Sequence, residues 1–147
     1  MAEQMKNAPV FVKREMEPIL IEVAGGKYPA IFNYHAITTF EDTNDGLLME
    51  LVVGVLDSVY DEYGNVKKDA DGNPLPSLPT RVVLSVLSCM MQAAGVEVEE
   101  EALFSSICFG ELPMIIAQLK GVIAQQRFQN EKGERNQKNA KITTMKK

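Results

Sequence analysis

Few residues in this chain of 147 could serve as nucleophiles, metal ligands or general bases. His35 is the only histidine, and the two cysteines, Cys89 and Cys108, are distant from it in sequence. An ordinary structural zinc site needs four nitrogen or sulfur ligands, which these three residues cannot supply. Both cysteines lie in apolar stretches with helical spacing, so we expect buried, reduced thiols. We expect His35 to be a surface or helix-cap residue.

The acidic segments do not match a calcium site or a catalytic pair. A calcium loop that starts at Asp69 needs Gly at its sixth position and Glu at its twelfth, but Pro74 and Thr80 stand there. Carboxylate pairs such as Glu41 and Asp42 lack the apolar surroundings that would raise a pKa into the range of a general acid. We interpret them as solvated. The chain is therefore predicted to be non-enzymatic, with no cofactor and no metal.

The eight methionines allow two interpretations. Their flexible thioether side chains fill gaps in cores, but they also line adaptable grooves that accept helices of varied sequence. Under the second interpretation, apolar residues on the later predicted helices bind a helical partner. Its candidate partner-binding residues are Met90, Met91, Phe104, Phe109, Met114 and Leu119.

Charge divides the chain into two parts. Residues 1–126 carry 8 basic and 18 acidic side chains, a net charge of −10, whereas residues 127–147 carry 7 basic and 2 acidic ones, a net charge of +5. This predicts a single acidic globular domain over 1–126 and a basic, disordered tail over 127–147. The acidic domain would repel a polyanion, and the tail has one aromatic residue, Phe128. A solvated tail, or one that docks an acidic partner, is therefore favoured over a nucleic-acid-binding tail.

Two further patterns bear on location. The N-terminal segment has no apolar stretch behind a basic region, so no secretory signal is expected. No segment approaches the roughly 18 consecutive apolar residues that a membrane span needs. We therefore expect a soluble protein in the cytoplasm.

The elements that would position these residues begin with a hairpin. Ile19, Ile21 and Val23 alternate with Leu20 and Glu22, which predicts a half-buried strand, and apolar side chains recur at every second position from 28 to 32 on the return strand. Gly25-Gly26 between them can supply the positive φ angles of a tight turn. Pro29 lacks an N–H, so the return strand should pair on one side only. An isolated hairpin is marginally stable in water, and this one, over about 19–32, must be covered by helices.

Helical spacing dominates the rest of the chain. The segment 80–94 is apolar around most of its circumference, which predicts a central helix. Residues 63–79 are rich in Gly, Asn and Pro and predict a long surface loop, which can contain a small hairpin between its two Gly-Asn pairs. The fold class is thus predicted as α+β, predominantly α, with the hairpin followed by about five helices. These helices are expected over 34–42, 45–60, 80–94, about 99–108, and from Pro113 onward.

The order of these elements resembles a known family. Tail assembly chaperones of long-tailed, siphophage-type bacteriophages and their prophages open with a glycine turn, Tyr-Pro, Phe, and a short helix that ends in an acidic pair. The stretch Leu84–Gly95, followed by Val96–Glu101, is similar to their apolar helix, glycine and acidic helix start. The resemblance covers about residues 19–126, with the loop 63–79 as an insertion. The opening motif corresponds here to Gly25-Gly26, Tyr28-Pro29, Phe32 and Glu41-Asp42.

The resemblance implies a non-enzymatic protein with a helical client. Such chaperones coat the tape-measure protein in the host cytoplasm, keep it soluble until tail tube subunits polymerise around it, and are absent from the mature virion. In many members a ribosomal frameshift produces a longer form that recruits the tail tube protein, and this chain would then be the short form. Whether the chain forms a homo-oligomer stays open.

Two alternatives remain. One is a small intracellular regulator whose basic tail binds nucleic acid, which would show a steep dependence of binding on salt. The other is a minor structural head–tail protein, which would be found in purified particles.

Overall fold

The computed structural model describes residues 16–127. It shows an antiparallel hairpin, β1 (Ile19–Val23) and β2 (Gly26–Ala30), followed by five α-helices, which confirms the predicted α+β, predominantly helical class. The predicted disorder of the basic tail concerns residues after Arg127, which lie outside the described part of the chain. The helices are α1 (Tyr34–Thr43), α2 (Met49–Val59), α3 (Thr80–Ala93), α4 (Glu100–Ser106) and α5 (Leu112–Gln126), with a 3₁₀ turn (Phe109–Glu111) directly before α5.

The hairpin turn lies one residue earlier than predicted. Val23 pairs with Gly26, so the two central residues are Ala24 and Gly25, with φ angles of 52° and 83°. Positive φ at both positions is the requirement of a type I′ turn, whose twist matches that of the flanking strands. As predicted from Pro29, β2 pairs on one side only among the described residues, with β1.

Local backbone features explain where the first two helices begin. The Oδ1 atom of Asn33 accepts a hydrogen bond from the N–H of Ala36 at 3.0 Å and caps α1. Helix α2, in contrast, begins at Met49, four residues later than the predicted start at 45. The reason is that Asp45 and Gly46 both adopt positive φ, at 56° and 82°, which the helix cannot accommodate.

Helix α3 forms the centre of the core, as its sequence predicts. Every residue from 83 to 91 is buried, including two serines. Ser85 Oγ accepts a hydrogen bond from Asn44 Nδ2, and Ser88 Oγ accepts one from Gln92 Nε2, both at 2.9 Å, so these buried hydroxyls are paired. Around α3 pack α1, β2 and α4, while α5 covers β1 and contacts α2. The largest fully buried apolar side chains are Phe40, Met49, Leu56, Leu87, Met90, Ile115 and Leu119.

The segment predicted as a long loop contains two turns with the same sequence pattern, Asp-x-x-Gly-Asn, eight residues apart. In each turn an aspartate, Asp61 or Asp69, accepts hydrogen bonds through Oδ1 from the backbone N–H groups two and four residues later, all at 2.9 Å. The N–H of Lys67 donates to the carbonyl of Val59 at 2.8 Å, and that of Leu75 donates to the carbonyl of Lys67 at 2.9 Å. Residues 59–75 therefore form three short paired segments, which we call the meander.

Candidate partner-binding groove

The residues with reactive side chains do not converge. In the part of the chain that the structure describes, no group of three His, Cys, Asp or Glu residues could hold a metal ion. Cys89 is buried as predicted, and this burial raises the pKa of its thiol to about 11, so it stays protonated at neutral pH. The prediction of burial is wrong for Cys108, which is exposed because α4 ends at Ser106, before it. His35 is exposed in the first turn of α1, as predicted.

The six candidate partner-binding residues occupy three environments. Met90 and Met91 on α3 and Leu119 on α5 are buried in the core, and Phe104 on α4 is half-buried against it. Met114 is exposed, and Phe109 has an exposed fraction of 87% in the 3₁₀ turn. The fold therefore does not bring the six into one groove. The physical reason is that α3 is enclosed by neighbours on several sides, which leaves its methionines as core residues.

On one side of the molecule, α5 holds the hairpin through side-chain amides. Gln118 Oε1 accepts a hydrogen bond from the N–H of Glu22 at 2.7 Å, and Gln118 Nε2 donates to the carbonyl of Glu22 at 2.9 Å. One side chain thus satisfies both backbone groups that Glu22 directs away from β2. An edge occupied in this way cannot pair there with a strand from another chain.

Two further residues extend this polar row along the hairpin. Gln126 is 1% exposed; its Oε1 accepts a hydrogen bond from Phe32 N–H, and its Nε2 donates to the carbonyl of Glu17, both at 2.8 Å. At the other end, the carboxylate of Glu111 accepts hydrogen bonds from the N–H groups of Cys108 at 2.9 Å and Ala24 at 2.8 Å. These donors lower the pKa of Glu111, the Cys108 N–H having the larger effect.

These three residues, which we call the clamp row (Glu111, Gln118 and Gln126), are spaced by seven and eight positions. Such spacing places side chains on the same face of a helix, two turns apart. They contact the turn, the middle and the base of the hairpin respectively. The sequence shows the spacing, but not which backbone groups the side chains reach.

The first turn of the meander is fixed to the same helix. Lys120 Nζ donates a hydrogen bond to the carbonyl of Tyr60 at 2.6 Å. Gly64, with φ of 82°, lies against the backbone of Pro113, and a Cβ at this position would collide with the Pro113 carbonyl oxygen. In the second turn Gly72 has nearly the same φ, 85°, but a Cβ there would meet nothing within 4 Å. The two turns share a pattern, but only the first is packed at its glycine.

Elsewhere the surface opens into a groove between α1, the start of α2 and the end of α5. Its volume is about 510 Å³. Tyr34 and Leu48 stand at its lips with exposed fractions of 74% and 53%, whereas Met49 and Phe32 at its base are buried. An apolar concavity with exposed apolar lips is typical of a binding site. The apolar lining consists of Phe32, Tyr34, Ile37, Leu48, Met49 and Val53.

The charged residues of the groove are mostly acidic. Glu41 and Glu50 line it, and Glu41 Oε2 accepts a hydrogen bond from the N–H of Met49 at 3.0 Å, which helps to fix the start of α2. Arg127 also lines the groove and forms an ion pair with Asp57 at 3.4 Å. Both of these side chains are partly exposed, so we expect this ion pair to add little stability. The site suits a ligand that is apolar at its centre and basic at its margin.

Within residues 16–127, no single helix is long and apolar enough to cross a membrane. Helix α4, together with the 3₁₀ turn and α5, satisfies the criteria of length and composition only as a pair bent by 91°.

Comparisons of the chain with protein-family models, with characterised protein sequences and with solved structures gave no significant match.

Proposed function

We propose that the protein is a non-enzymatic tail assembly chaperone that binds helical segments of a phage tape-measure protein in the groove. The observation that carries this proposal is the groove itself, whose apolar lips remain exposed beside a well-packed core. A tape-measure protein is a long helical chain with exposed apolar faces, and an amphipathic helix laid in an apolar groove is a common mode of recognition. The resemblance of residues 19–126 to tail assembly chaperones supplies the identity of the client.

The proposal includes a place and a time of action. The protein would act in the host cytoplasm before the tail tube polymerises, and would be absent from the finished virion. Recruitment of the tail tube protein would fall to a longer, frameshifted form. These parts of the proposal rest on the family resemblance, whereas the location of the client rests on the groove.

Co-expression with the tape-measure protein of the same gene cluster tests the function. We expect the wild-type chain to increase the soluble fraction of the tape-measure protein and to co-purify with it. A double variant, Tyr34→Ala with Leu48→Asn, removes both apolar lips and should lose most of this effect. Asn is favourable at position 48 because Leu48 is the N-cap residue of α2.

A matched control keeps the interpretation specific. Leu20 and Tyr63 lie outside the groove lining, with exposed fractions of 63% and 68%, so Leu20→Thr with Tyr63→Ala removes a similar exposed apolar area elsewhere. This control should solubilise the client as the wild type does. No gain in solubility with the wild-type chain would contradict the function, and equal losses in both double variants would contradict the groove as its site.

A further inference from the structure

The described chain ends at a wall of the groove. Arg127, the last described residue, lines the groove together with Gln126, so residue 128 starts one peptide bond from it. That residue is Phe128, the only aromatic residue in 128–147. Because the segment is tethered so close to the groove, its effective concentration there is on the order of millimolar. This concentration does not depend on a second molecule.

The charges of this segment complement those of the groove. Residues 128–147 carry 6 basic and 2 acidic side chains, a net charge of +4. The groove presents the carboxylates of Glu41 and Glu50, within a domain that is strongly acidic overall. Opposite charges at the margin of an apolar site orient a ligand and exclude competitors of the wrong sign.

We propose that residues 128–147 of the same chain dock in the groove, with the Phe128 ring among Ile37, Leu48 and Val53 and the basic residues facing Glu41 and Glu50. The docking stands on the groove and on the point at which the described chain ends. Its consequence, that a client must displace this segment before it can bind, rests on the proposed function. The segment would therefore act as a tethered competitor that keeps the groove covered in the absence of a client.

The N-terminal segment is a less suitable occupant. It contains the apolar run Pro9–Val12, but residues 1–15 carry a net charge of only +1, from 3 basic and 2 acidic side chains. The first described residues, Met16 and Glu17, are not part of the groove lining, although Gln126 binds the Glu17 carbonyl. Occupation by the N-terminal segment, or by a second copy of the chain, is an outcome that the following test would detect.

Nuclear magnetic resonance on the full chain with labelled Ile, Leu, Val and Met methyl groups tests the docking without any client. We expect nuclear Overhauser effects between the Phe128 ring and the methyl groups of Ile37 and Val53. The variant Phe128→Ser should shift these groove resonances and leave the core resonances of Leu87 unchanged. The control Phe109→Ser removes an exposed aromatic ring that lies outside the groove lining, so it should leave the groove resonances in place.

Three results would overturn the docking. Groove resonances that are the same in Phe128→Ser and wild type would show that the segment does not reach them. Contacts from the Phe11 ring instead of Phe128 would assign the groove to the N-terminal segment. Contacts that appear only between labelled and unlabelled chains in a mixed sample would assign it to a second copy.

Client affinity then tests the competition separately. If the segment covers the groove about 80–90% of the time, Phe128→Ser should bind a helical tape-measure segment about five- to tenfold more tightly, since the apparent Kd scales inversely with the open fraction. Equal affinities of variant and wild type would overturn the competition. Docking contacts without any binding of the client would instead contradict the proposed function and leave the docking established.

Discussion

The hairpin side of α5 and the groove side at its C-terminal end differ in how their side chains are used. Along the hairpin, the clamp row pairs backbone groups at the turn, the middle and the base, including both exposed groups of Glu22 at the edge of β1. At the groove, Tyr34 and Leu48 expose most of their apolar surface. One side is closed by specific hydrogen bonds, whereas the other keeps apolar side chains exposed. Substitutions on the first should change folding stability, and substitutions on the second should change binding.

The largest loss of stability is expected from Gly64→Ala in the first turn of the meander, which is also packed on α5. Positive φ costs an alanine about 1–2 kcal/mol, and the collision with the Pro113 carbonyl adds to this, so we expect a total of at least about 3 kcal/mol. Gly72→Ala has the same backbone strain with open space around it and should cost only about 1–2 kcal/mol. Chemical denaturation of both variants measures the difference. Equal losses would show that the first turn is not packed on α5.

A smaller loss is expected from Gln126→Ala. The substitution leaves the buried Phe32 N–H and the partly buried Glu17 carbonyl without their partner, which should cost about 2–3 kcal/mol. The neighbouring Gln125 is exposed, and Gln125→Ala should stay within about 0.5 kcal/mol of wild type. If both glutamine variants unfold at the same denaturant concentration, the clamp row does not stabilise the base of the hairpin.

The third effect depends on pH. Because the folded chain lowers the pKa of Glu111 below its ordinary value of 4.5, this carboxylate stabilises the fold above pH 4.5, and the contribution is lost as pH falls through the lower folded value. Glu111→Gln removes this contribution, so the free energies of unfolding of the variant and the wild type should differ at pH 7 and converge as the pH falls below the lowered folded pKa. Denaturation curves across this range measure it. A difference that stays constant with pH would contradict the assigned ionisation.

The smallest effect on stability is expected on the open side. In the Phe128→Ser background, in which the proposed docking of residues 128–147 is removed, Tyr34→Ala with Leu48→Asn removes exposed surface and introduces a favourable N-cap residue, so the free energy of unfolding should change by less than about 0.5 kcal/mol. Thermal and chemical denaturation provide the measurement. A loss comparable with that of Gln126→Ala would mean that the lips belong to the core and would remove the contrast between the two sides.

Much of the fold was predictable because local patterns determine it. Asn33 caps α1, Pro29 restricts β2 to one partner, and Gly95, with φ of 96°, follows the end of α3. The start of α2 was predicted too early because the apolar rhythm continues through Asp45-Gly46, a pair that adopts left-handed backbone instead. The eight-residue repeat of the meander is visible in the sequence, but the composition of 63–79 predicts only a surface loop with a small hairpin between its two Gly-Asn pairs.

The groove was not predictable in the same way. Methionine content favours Met90 and Met91 as partner-binding residues. The periodicity of 80–94, however, predicts that α3 is surrounded on several sides, and both methionines are buried there. Tyr34 and Leu48 lie 14 positions apart and meet only because of the loop between α1 and α2. The contacts of Gln126 with Glu17 and Phe32 depend likewise on tertiary register.

Titration of a purified helical tape-measure segment with three forms of the full chain tests the groove most directly. These forms are the wild type, the lip variant (Tyr34→Ala with Leu48→Asn) and the matched control (Leu20→Thr with Tyr63→Ala). Since truncating an apolar residue that anchors a ligand costs more than about 1 kcal/mol of binding free energy, we expect the lip variant to bind at least about tenfold more weakly and the control to bind as the wild type does. Wild-type affinity in the lip variant would contradict the groove as the site at which this protein holds its client.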